Sequence, residues 1–252
     1  MVKASATTAH TYLNMIGLYR LYASRMNLTR RFIPAGLAIV AFLIAALAAQ
    51  TPGVHPVSGR VFAPPMGVAG APWLDRRERE LEEDPDQAMR LIRVARGSTV
   101  ADLGAGSGYF TVRLAKAVGT AGKVYAVDIQ QGMLDLLAAR VAKDKLTNVV
   151  PVLGATDDPR LPDGSIDLVL MVDVYHELSS PQVTLGHLRR ALKPGGRLVL
   201  LEYRAEDPDV PILPEHKMTK AQVKLEVEHE GFQQQRVYDD LPRQHLIVFT
   251  RP

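Results

Sequence analysis

The chain has 252 residues, of which 47% are apolar and 23% charged, a composition typical of a folded globular protein. Six basic residues and no acidic ones precede residue 61, which leaves 24 basic against 27 acidic residues in the remainder. That mildly acidic remainder argues against a nucleic-acid partner, which requires a concentrated positive surface. The absence of cysteine excludes disulfides, thiolate nucleophiles and cysteine-based metal sites.

Residues 1–50 have the pattern of a targeting or anchoring segment. Arg30 and Arg31 precede an uncharged apolar run, residues 32–49, which ends in small residues. This order is typical of a secretory signal peptide, and about 18 apolar residues can also span a bilayer. We favour a cleaved signal over a retained anchor. Both interpretations predict export or membrane association, and a cytoplasmic orientation stays open. Residues 51–72, rich in proline and glycine, are predicted to be a linker.

Residues 73–252 alternate between predicted helices and strands, after a charged helical region that is broken near Pro85. Strands are predicted at STVADLG, KVYAVDI, VVPVLG, IDLVLMVDVYHEL and RLVLLEY, with helices at YFTVRLAKAVG, GMLDLLAARVAKDK, QVTLGHLRRAL and TKAQVKLEVEHEG. QQQRVYDD and QHLIVFTR are predicted to be antiparallel neighbours. This alternation predicts one α/β domain with a doubly wound, mainly parallel, seven-stranded sheet of Rossmann-like type, the last strand antiparallel.

The stretch VADLGAGSGYF, residues 100–110, places Gly104, Gly106 and Gly108 between a strand and a helix. Because glycine lacks a Cβ, such a loop can turn tightly and let a ligand approach the free N–H groups of the helix. Dinucleotide sites use G-x-G-x-x-G, and phosphate-binding P-loops end in Gly-Lys-Ser/Thr. Neither pattern is present, which argues against an NAD-dependent oxidoreductase.

Two aspartates define the ligand that this loop would bind. Asp102 lies two residues before the first glycine, where a carboxylate suits a cationic group such as an ammonium better than a pyrophosphate. Asp128 ends the next predicted strand, where an acid can accept hydrogen bonds from the hydroxyls of a ribose. A ligand with a ribose, a cation and no diphosphate is predicted, and S-adenosylmethionine fits that description.

Four segments, in this order and spacing, resemble the class I S-adenosylmethionine-dependent methyltransferases: VADLGAGSGYFTVRLA, VYAVDI, LPDGSIDLVLMVDVYHEL and LKPGGRLVLLEY. The resemblance covers roughly residues 85–252. Within the class, these residues are most similar in type to the small-molecule branch near the quinone-biosynthesis methyltransferases. It implies a cofactor-binding set made of Asp102, Gly104, Ala105, Gly106, Gly108, Asp128, Ile129, Asp157, Asp158 and Asp173.

The resemblance also implies roles within this set. Asp102 would lie near the methionine amine, and Gly108 would let the helix pack closely. Asp128 would bind the ribose hydroxyls, and Ile129 would pack on the adenine. Either of two aspartates after the third strand, Asp157 or Asp158, would lie near the exocyclic adenine nitrogen. Asp173 would face the side of the methyl donor.

The acceptor side is predicted after the fourth and fifth strands, at Tyr175, His176 and Glu202. The sharper hypothesis makes His176 a general base, since neutral imidazole suits proton transfer near pH 7. The alternative hypothesis is structural: His176 caps or positions a loop. Three more residues could reach the acceptor side: Arg204, His216 and Lys217. Of these, Arg204 or Lys217 could anchor an acidic acceptor.

The predicted function is methyl transfer to a small-molecule or lipid acceptor by in-line displacement, in which alignment supplies much of the catalysis. The alternative is a non-catalytic module that binds S-adenosylmethionine or another nucleoside, favoured if the N-terminal arm blocks the acceptor pocket. The charged region around Trp73 is either a lid or, as we favour, a solvated helix with ion pairs such as Arg76–Glu80 and Arg79–Glu83. No metal site is predicted from the spacing of His, Asp and Glu, and the oligomeric state is not predicted.

Overall fold

The structure, a computed structural model, describes residues 53–252. The predicted signal or anchor in residues 1–50, and membrane association through residues 32–49, lie outside the described residues and stay predictions. Within the described range, no helix is long and apolar enough to cross a membrane.

Strands and helices alternate along the described chain, as predicted. The strands are β1 Thr99–Leu103, β2 Lys123–Asp128, β3 Val149–Leu153, β4 Ile166–Val172, β5 Leu192–Arg204, β6 Lys217–Met218, β7 Gln233–Tyr238 and β8 Gln244–Thr250. The helices are α1 Ala71–Leu74, α2 Arg79–Glu82, α3 Pro85–Ile92, α4 Tyr109–Val118, α5 Gln131–Lys143, α6 Pro181–Ala191 and α7 Lys220–His229. Short 3₁₀ turns lie at Val68–Gly70, Tyr175–Glu177 and Pro214–His216.

The sheet has the strand order β3-β2-β1-β4-β5-β8-β7, and the two-residue β6 pairs with β5 outside that path. Strands β1 to β5 pair in parallel, whereas β8 runs antiparallel to both β5 and β7. The doubly wound, mainly parallel Rossmann-like sheet with an antiparallel last strand is thereby confirmed. The described sheet has eight strands rather than the predicted seven, because the short β6 pairs with the end of β5. At its carboxyl end, Leu103 of β1 pairs with Val127 of β2 and Met171 of β4, so three strands finish at one edge.

Helices cover both faces of the sheet because its central strands are apolar on both sides. On one face, Phe110, Leu114 and Val118 recur at helical spacing along α4 and pack with α3 against the strands. On the other face, α6 and α7 bury Leu188 and Val227 against the sheet. This three-layer arrangement leaves the carboxyl edge of the strands open, where doubly wound sheets bind their ligands.

The predicted linker packs as part of the folded domain, so the predicted domain boundary at residue 73 is corrected. Residues 53–72 belong to the same compact unit as the rest of the domain. Arg60 is buried and donates two hydrogen bonds to the buried carboxylate of Glu226 in α7, at 3.1 and 3.0 Å. His55 lies 3.3 Å from the same carboxylate. Polar groups buried in this way are costly unless they are paired, so the segment, called the arm below, is held in a defined place.

Candidate functional site

A cavity of about 770 Å³ opens at the carboxyl edge of the sheet. Its size is in the range of small-molecule sites. The glycine loop after β1, the residues that follow β2 and β4, and two crossing segments, residues 62–66 of the arm and residues 211–213, form the walls. Most of these side chains are apolar. Residues 62–66 of the arm line the cavity without filling it, so the described part of the chain does not block the pocket in the way that would favour a non-catalytic module.

Glycine is required at two positions of the loop. Gly104 has φ +73°, and a Cβ there would lie 2.4 Å from Cγ2 of Val174, far inside van der Waals contact. Gly108 caps α4 with φ +87°, and its missing Cβ lets Leu137 of α5 approach within 3.1 Å of that position. The loop therefore passes close to its neighbours, and Gly108 permits the close helix packing that the resemblance implies.

Asp128 holds the loop in place from the end of β2. Its Oδ2 accepts a hydrogen bond from the N–H of Gly106 at 2.9 Å, and its Oδ1 accepts one from the N–H of Gln130 at 2.9 Å. The N–H of Ala105 donates to the carbonyl of Val127 at 2.9 Å. Burial raises the pKa of Asp128, although these backbone donors oppose the shift. Asp128 also lines the cavity, where its carboxylate can accept from a bound ligand.

Asp102 is 2% exposed and lies below the loop, beside a recess of about 40 Å³ that shares wall residues with the cavity. Its Oδ2 accepts a hydrogen bond of 2.6 Å from the hydroxyl of Thr111 on α4. Burial raises the pKa of Asp102 to about 6, with a further contribution from Asp128. A buried carboxylate with one neutral partner favours a cation that reaches it.

Asp173, directly after β4, lines the cavity in the left-handed backbone region, with φ +54°. Both of its oxygens accept from the side-chain amide of Gln244, at 2.9 and 2.8 Å, and Arg79 lies 4.0 Å away. Burial, together with the charges of Glu83 and Glu202, raises its pKa well above the usual value. Sequence reasoning missed Gln244, for which a polar residue at the start of the mainly apolar β8 was the available signal.

Both the imidazole ring and the backbone carbonyl of His176 make hydrogen bonds. Its ring Nδ1 lies 2.6 Å from Oε2 of Glu202, and its Nε2 lies 3.0 Å from Nδ1 of His216. Its carbonyl accepts hydrogen bonds from Arg60 at 2.9 Å and from the N–H of Ala63 at 3.2 Å. Burial lowers the pKa of His176, but the charge and hydrogen bond of Glu202 outweigh burial and the net shift is upward. The ring lines the cavity, as predicted for an acceptor-side residue.

Glu202 and Tyr175 lie behind this ring rather than in the cavity. Glu202 is fully buried and accepts hydrogen bonds from His176 and from the N–H of Tyr175, the latter at 2.9 Å. The ring of Tyr175 is also fully buried, with the guanidinium of Arg60 5.7 Å from its centroid. A catalytic role for Tyr175 is therefore wrong, because its hydroxyl cannot touch a bound molecule. Glu202 can act only through His176, as a positioning residue.

Three donor side chains meet at the mouth: His176, Glu177 and His216 each offer one ligand atom, and these atoms lie within 4.8 Å of one another. Burial raises the pKa of Glu177 to about 7. Burial also lowers the pKa of His216, which approaches from the turn before β6. The sequence predicted no metal site because these residues are 39 positions apart or directly adjacent, which is not ligand spacing on one helix.

Asp157 and Asp158 are not part of the cavity, which corrects the prediction made from the resemblance. The cavity is lined here by Ala155 and Thr156, whereas Asp157 is exposed and Asp158 lies 3.3 Å from His187 on α6. Gly154, Ala155 and the turn that follows direct both carboxylates away from the site.

Ile129, by contrast, lines the cavity with 44% of its surface exposed. An apolar side chain that is left uncovered at this point offers a flat surface to a ligand ring.

The two predicted anchors for an acidic acceptor are also corrected. Arg204 donates to the carbonyl of Asp239, and Lys217 donates to the carbonyl of Val210 at 3.1 Å. Neither lines the cavity. Arg79 is the only lysine or arginine among its lining residues in the described chain.

The charged region before β1 closes one side of the cavity through Trp73, Leu74 and Arg79. It is therefore not simply the solvated helix that we favoured. The predicted pair Arg79–Glu83 is present at 2.5 Å but is buried, and Arg76 pairs with Glu82 at 2.6 Å instead of Glu80. This region forms a wall of the site.

Comparison with known proteins agrees with this geometry. Residues 100–196 match the family model described as a methyltransferase domain. A demethylmenaquinone methyltransferase from Geobacillus sp. (strain WCH70) is 31% identical over 127 residues, which are 50% of this chain and 53% of that protein. The ubiquinone/menaquinone biosynthesis C-methyltransferase UbiE from Hydrogenovibrio crunogenus is 33% identical over 123 residues, 46% of each chain. The chain thus spans about half the length of the curated relatives it matches.

Among solved structures, an S-adenosylmethionine-dependent methyltransferase from Aquifex aeolicus aligns with a TM-score of 0.71 at 29% identity, covering 75% of this chain and 100% of that one. The phosphoethanolamine N-methyltransferase 2 of Haemonchus contortus shares the fold, with a TM-score of 0.58 at 15% identity over 74% of this chain and 57% of that one.

The fold, the glycine loop and these matches are similar to those of the class I S-adenosylmethionine-dependent methyltransferases. Within that class, the chain is similar to the quinone-biosynthesis methyltransferases.

Proposed function

We propose that the protein transfers a methyl group from S-adenosylmethionine to an apolar small-molecule or lipid acceptor. The observation that carries the proposal is a single cavity with two chemically different ends. The glycine loop and Asp128 border one end, and the imidazole of His176 borders the other between apolar walls. A domain that matches a methyltransferase model supports the same reading.

The cofactor end fits S-adenosylmethionine on structural grounds. Gly104, where a Cβ would collide with Val174, lines the cavity together with Gly106, so backbone borders the space for the ligand. The buried carboxylate of Asp102 would accept from the ammonium, and the carboxylate of Asp128 would accept from the ribose hydroxyls. When bound, the cofactor supplies an electrophilic methyl group on a sulfonium.

The acceptor end favours an apolar molecule. The side chains that surround it are largely aliphatic or aromatic, and the predicted cationic anchors lie elsewhere. The names of the relatives, which concern demethylmenaquinone and ubiquinone/menaquinone biosynthesis, support a ring-bearing acceptor of the quinone kind.

The chain's own contribution to the reaction is to exclude water, align the acceptor and assist the loss of an acceptor proton. Alignment in a closed site supplies much of the rate for a displacement of this type. We assign this assistance to the imidazoles of His176 and His216, which line this end of the cavity 3.0 Å apart, because an imidazole can accept a proton near neutral pH.

A transfer assay tests the proposal. The full chain is incubated with S-adenosylmethionine labelled in its methyl group and with naphthoquinol, benzoquinol and membrane-lipid acceptors, and label in the product is measured. We expect transfer that Asp128→Asn reduces at least tenfold, because the variant loses a charged acceptor for the ribose. Asp135→Asn, an exposed substitution on α5, should leave transfer unchanged. Cofactor binding without transfer to any acceptor would favour the non-catalytic module.

A further inference from the structure

The mouth of the cavity brings together two imidazoles and a carboxylate from two separate parts of the chain. Nε2 of His176 lies 3.0 Å from Nδ1 of His216 and 4.0 Å from Oε1 of Glu177. Ligand atoms that share one zinc ion, with bonds of about 2.0–2.2 Å, lie roughly 3 to 4 Å apart. The three atoms, all within 4.8 Å of one another, therefore need only small side-chain movements to hold one ion.

The ring of His176 is oriented as a metal ligand is oriented. Glu202 is acceptor-only when ionised, so its contact of 2.6 Å places the ring proton on Nδ1 and leaves the lone pair on Nε2, facing the other two donors. Metal-binding histidines almost always donate their second nitrogen to a carboxylate or carbonyl in this way. The second oxygen of Glu202 is bound by the N–H of Tyr175, which keeps the carboxylate from rotating.

The local charge also favours a cation. The carboxylates of Glu177 and Glu202 flank the imidazole of His176, at 4.0 and 2.6 Å. Within residues 53–252, the one lysine or arginine that lines the cavity is Arg79, and it is paired with Glu83 at 2.5 Å. Arg60, which approaches the carbonyl of His176, is paired with a different carboxylate in α7. Two carboxylates, of Glu202 fully buried and of Glu177 half-buried, therefore lie beside one imidazole, an arrangement with which a divalent ion can pair.

We propose that His176, His216 and Glu177 bind one divalent transition-metal ion at the mouth of the acceptor pocket. Two histidines and one glutamate form the ligand set of catalytic zinc sites, in which a fourth position stays open. Imidazole donors suit zinc and its neighbours better than magnesium or calcium. The open position faces the cavity, so the ion would bind an oxygen of the acceptor. This last step rests on the proposed methyltransferase function, whereas the metal site itself does not.

Zinc binding to the full chain tests the proposal. The protein is dialysed against a chelator and then titrated with zinc in competition with a chromophoric chelator. We expect one zinc ion per chain. His216→Ala and Glu177→Gln should each weaken zinc binding at least tenfold, because each removes one of three ligands. His187→Ala, which removes a histidine of α6 outside the cluster, is the matched control and should bind zinc as the wild type does.

Two outcomes overturn the metal site: no zinc binding by the wild type, or binding that neither cluster variant weakens. A parallel titration of the wild type with S-adenosylhomocysteine separates this failure from that of the proposed function. Binding of S-adenosylhomocysteine without zinc binding rejects the metal site alone. Zinc binding that depends on the cluster, in a protein that does not bind S-adenosylhomocysteine, rejects the methyltransferase function and leaves the metal site standing.

Discussion

The carboxylate of Asp102 should have two opposite effects. It should lower the free energy of unfolding of the cofactor-free protein, and it should strengthen binding of the cofactor. Burial raises its pKa from the usual 3.8 to about 6. A shift of about two units corresponds to about 3 kcal/mol by which folding disfavours the ionised form. Asp102→Asn removes the charge and keeps an oxygen that can accept from Thr111, so the variant should be more stable than the wild type at pH 7.5.

The sign of the pH dependence follows from the direction of the shift. Since the folded pKa is raised, the wild type loses stability as the pH rises from about 4 through 6, and the variant does not. The difference in stability between the two should be about a fifth of its full size at pH 4, about half at pH 5, and complete above pH 7. At pH 7.5 it corresponds to roughly 6–12 °C in Tm.

Thermal unfolding without cofactor, followed by circular dichroism between pH 4 and 8, measures this gap. Asp135→Asn serves as the control for loss of a surface carboxylate. The same Asp102→Asn variant should bind S-adenosylhomocysteine at least tenfold more weakly, because the ammonium loses its charged partner. A wild type as stable as the variant at pH 7.5, or a gap that does not change with pH, would refute the reasoning.

Two further substitutions test the walls of the site. Gly104→Ala should lower the free energy of unfolding by about 2–4 kcal/mol, since a Cβ at φ +73° would lie 2.4 Å from Val174. Chemical denaturation measures this, and an unchanged midpoint would contradict the close approach. Glu226→Ala leaves the buried guanidinium of Arg60 unpaired, at a cost of about 3–5 kcal/mol, so the arm should detach. Limited proteolysis should then cleave residues 53–72 much faster than in the wild type, and equal cleavage rates would count against the arm as a wall.

The cofactor end could be predicted because its signals are local in sequence. The glycines, Asp102 and Asp128 each follow directly from a strand end, and the register of parallel strands brings such ends to one edge. The two residues Asp157 and Asp158 were misassigned because a short turn decides which of several neighbouring residues faces the cavity, and periodicity does not describe turns.

The acceptor end depends on contacts between distant segments, which no local pattern contains. Tyr175 and His176 are adjacent in a 3₁₀ turn, and only the packing of Arg60 on one and of Glu202 on the other shows which ring faces the cavity. Proline and glycine are typical of linkers, so composition predicts a linker in residues 51–72, although the buried Arg60 of the arm pairs with a carboxylate 166 residues away. The cluster of His176, Glu177 and His216 could not be predicted from ligand spacing either, since His216 comes from a separate turn.

Calorimetric titration of the wild-type chain with S-adenosylhomocysteine tests whether the glycine-loop end of the cavity binds S-adenosylmethionine. We expect one site per chain, with binding that Asp128→Asn weakens at least tenfold and Asp135→Asn leaves unchanged. A folded wild-type protein that shows no heat of binding, or an Asp128→Asn variant that binds as tightly as the wild type, would contradict it.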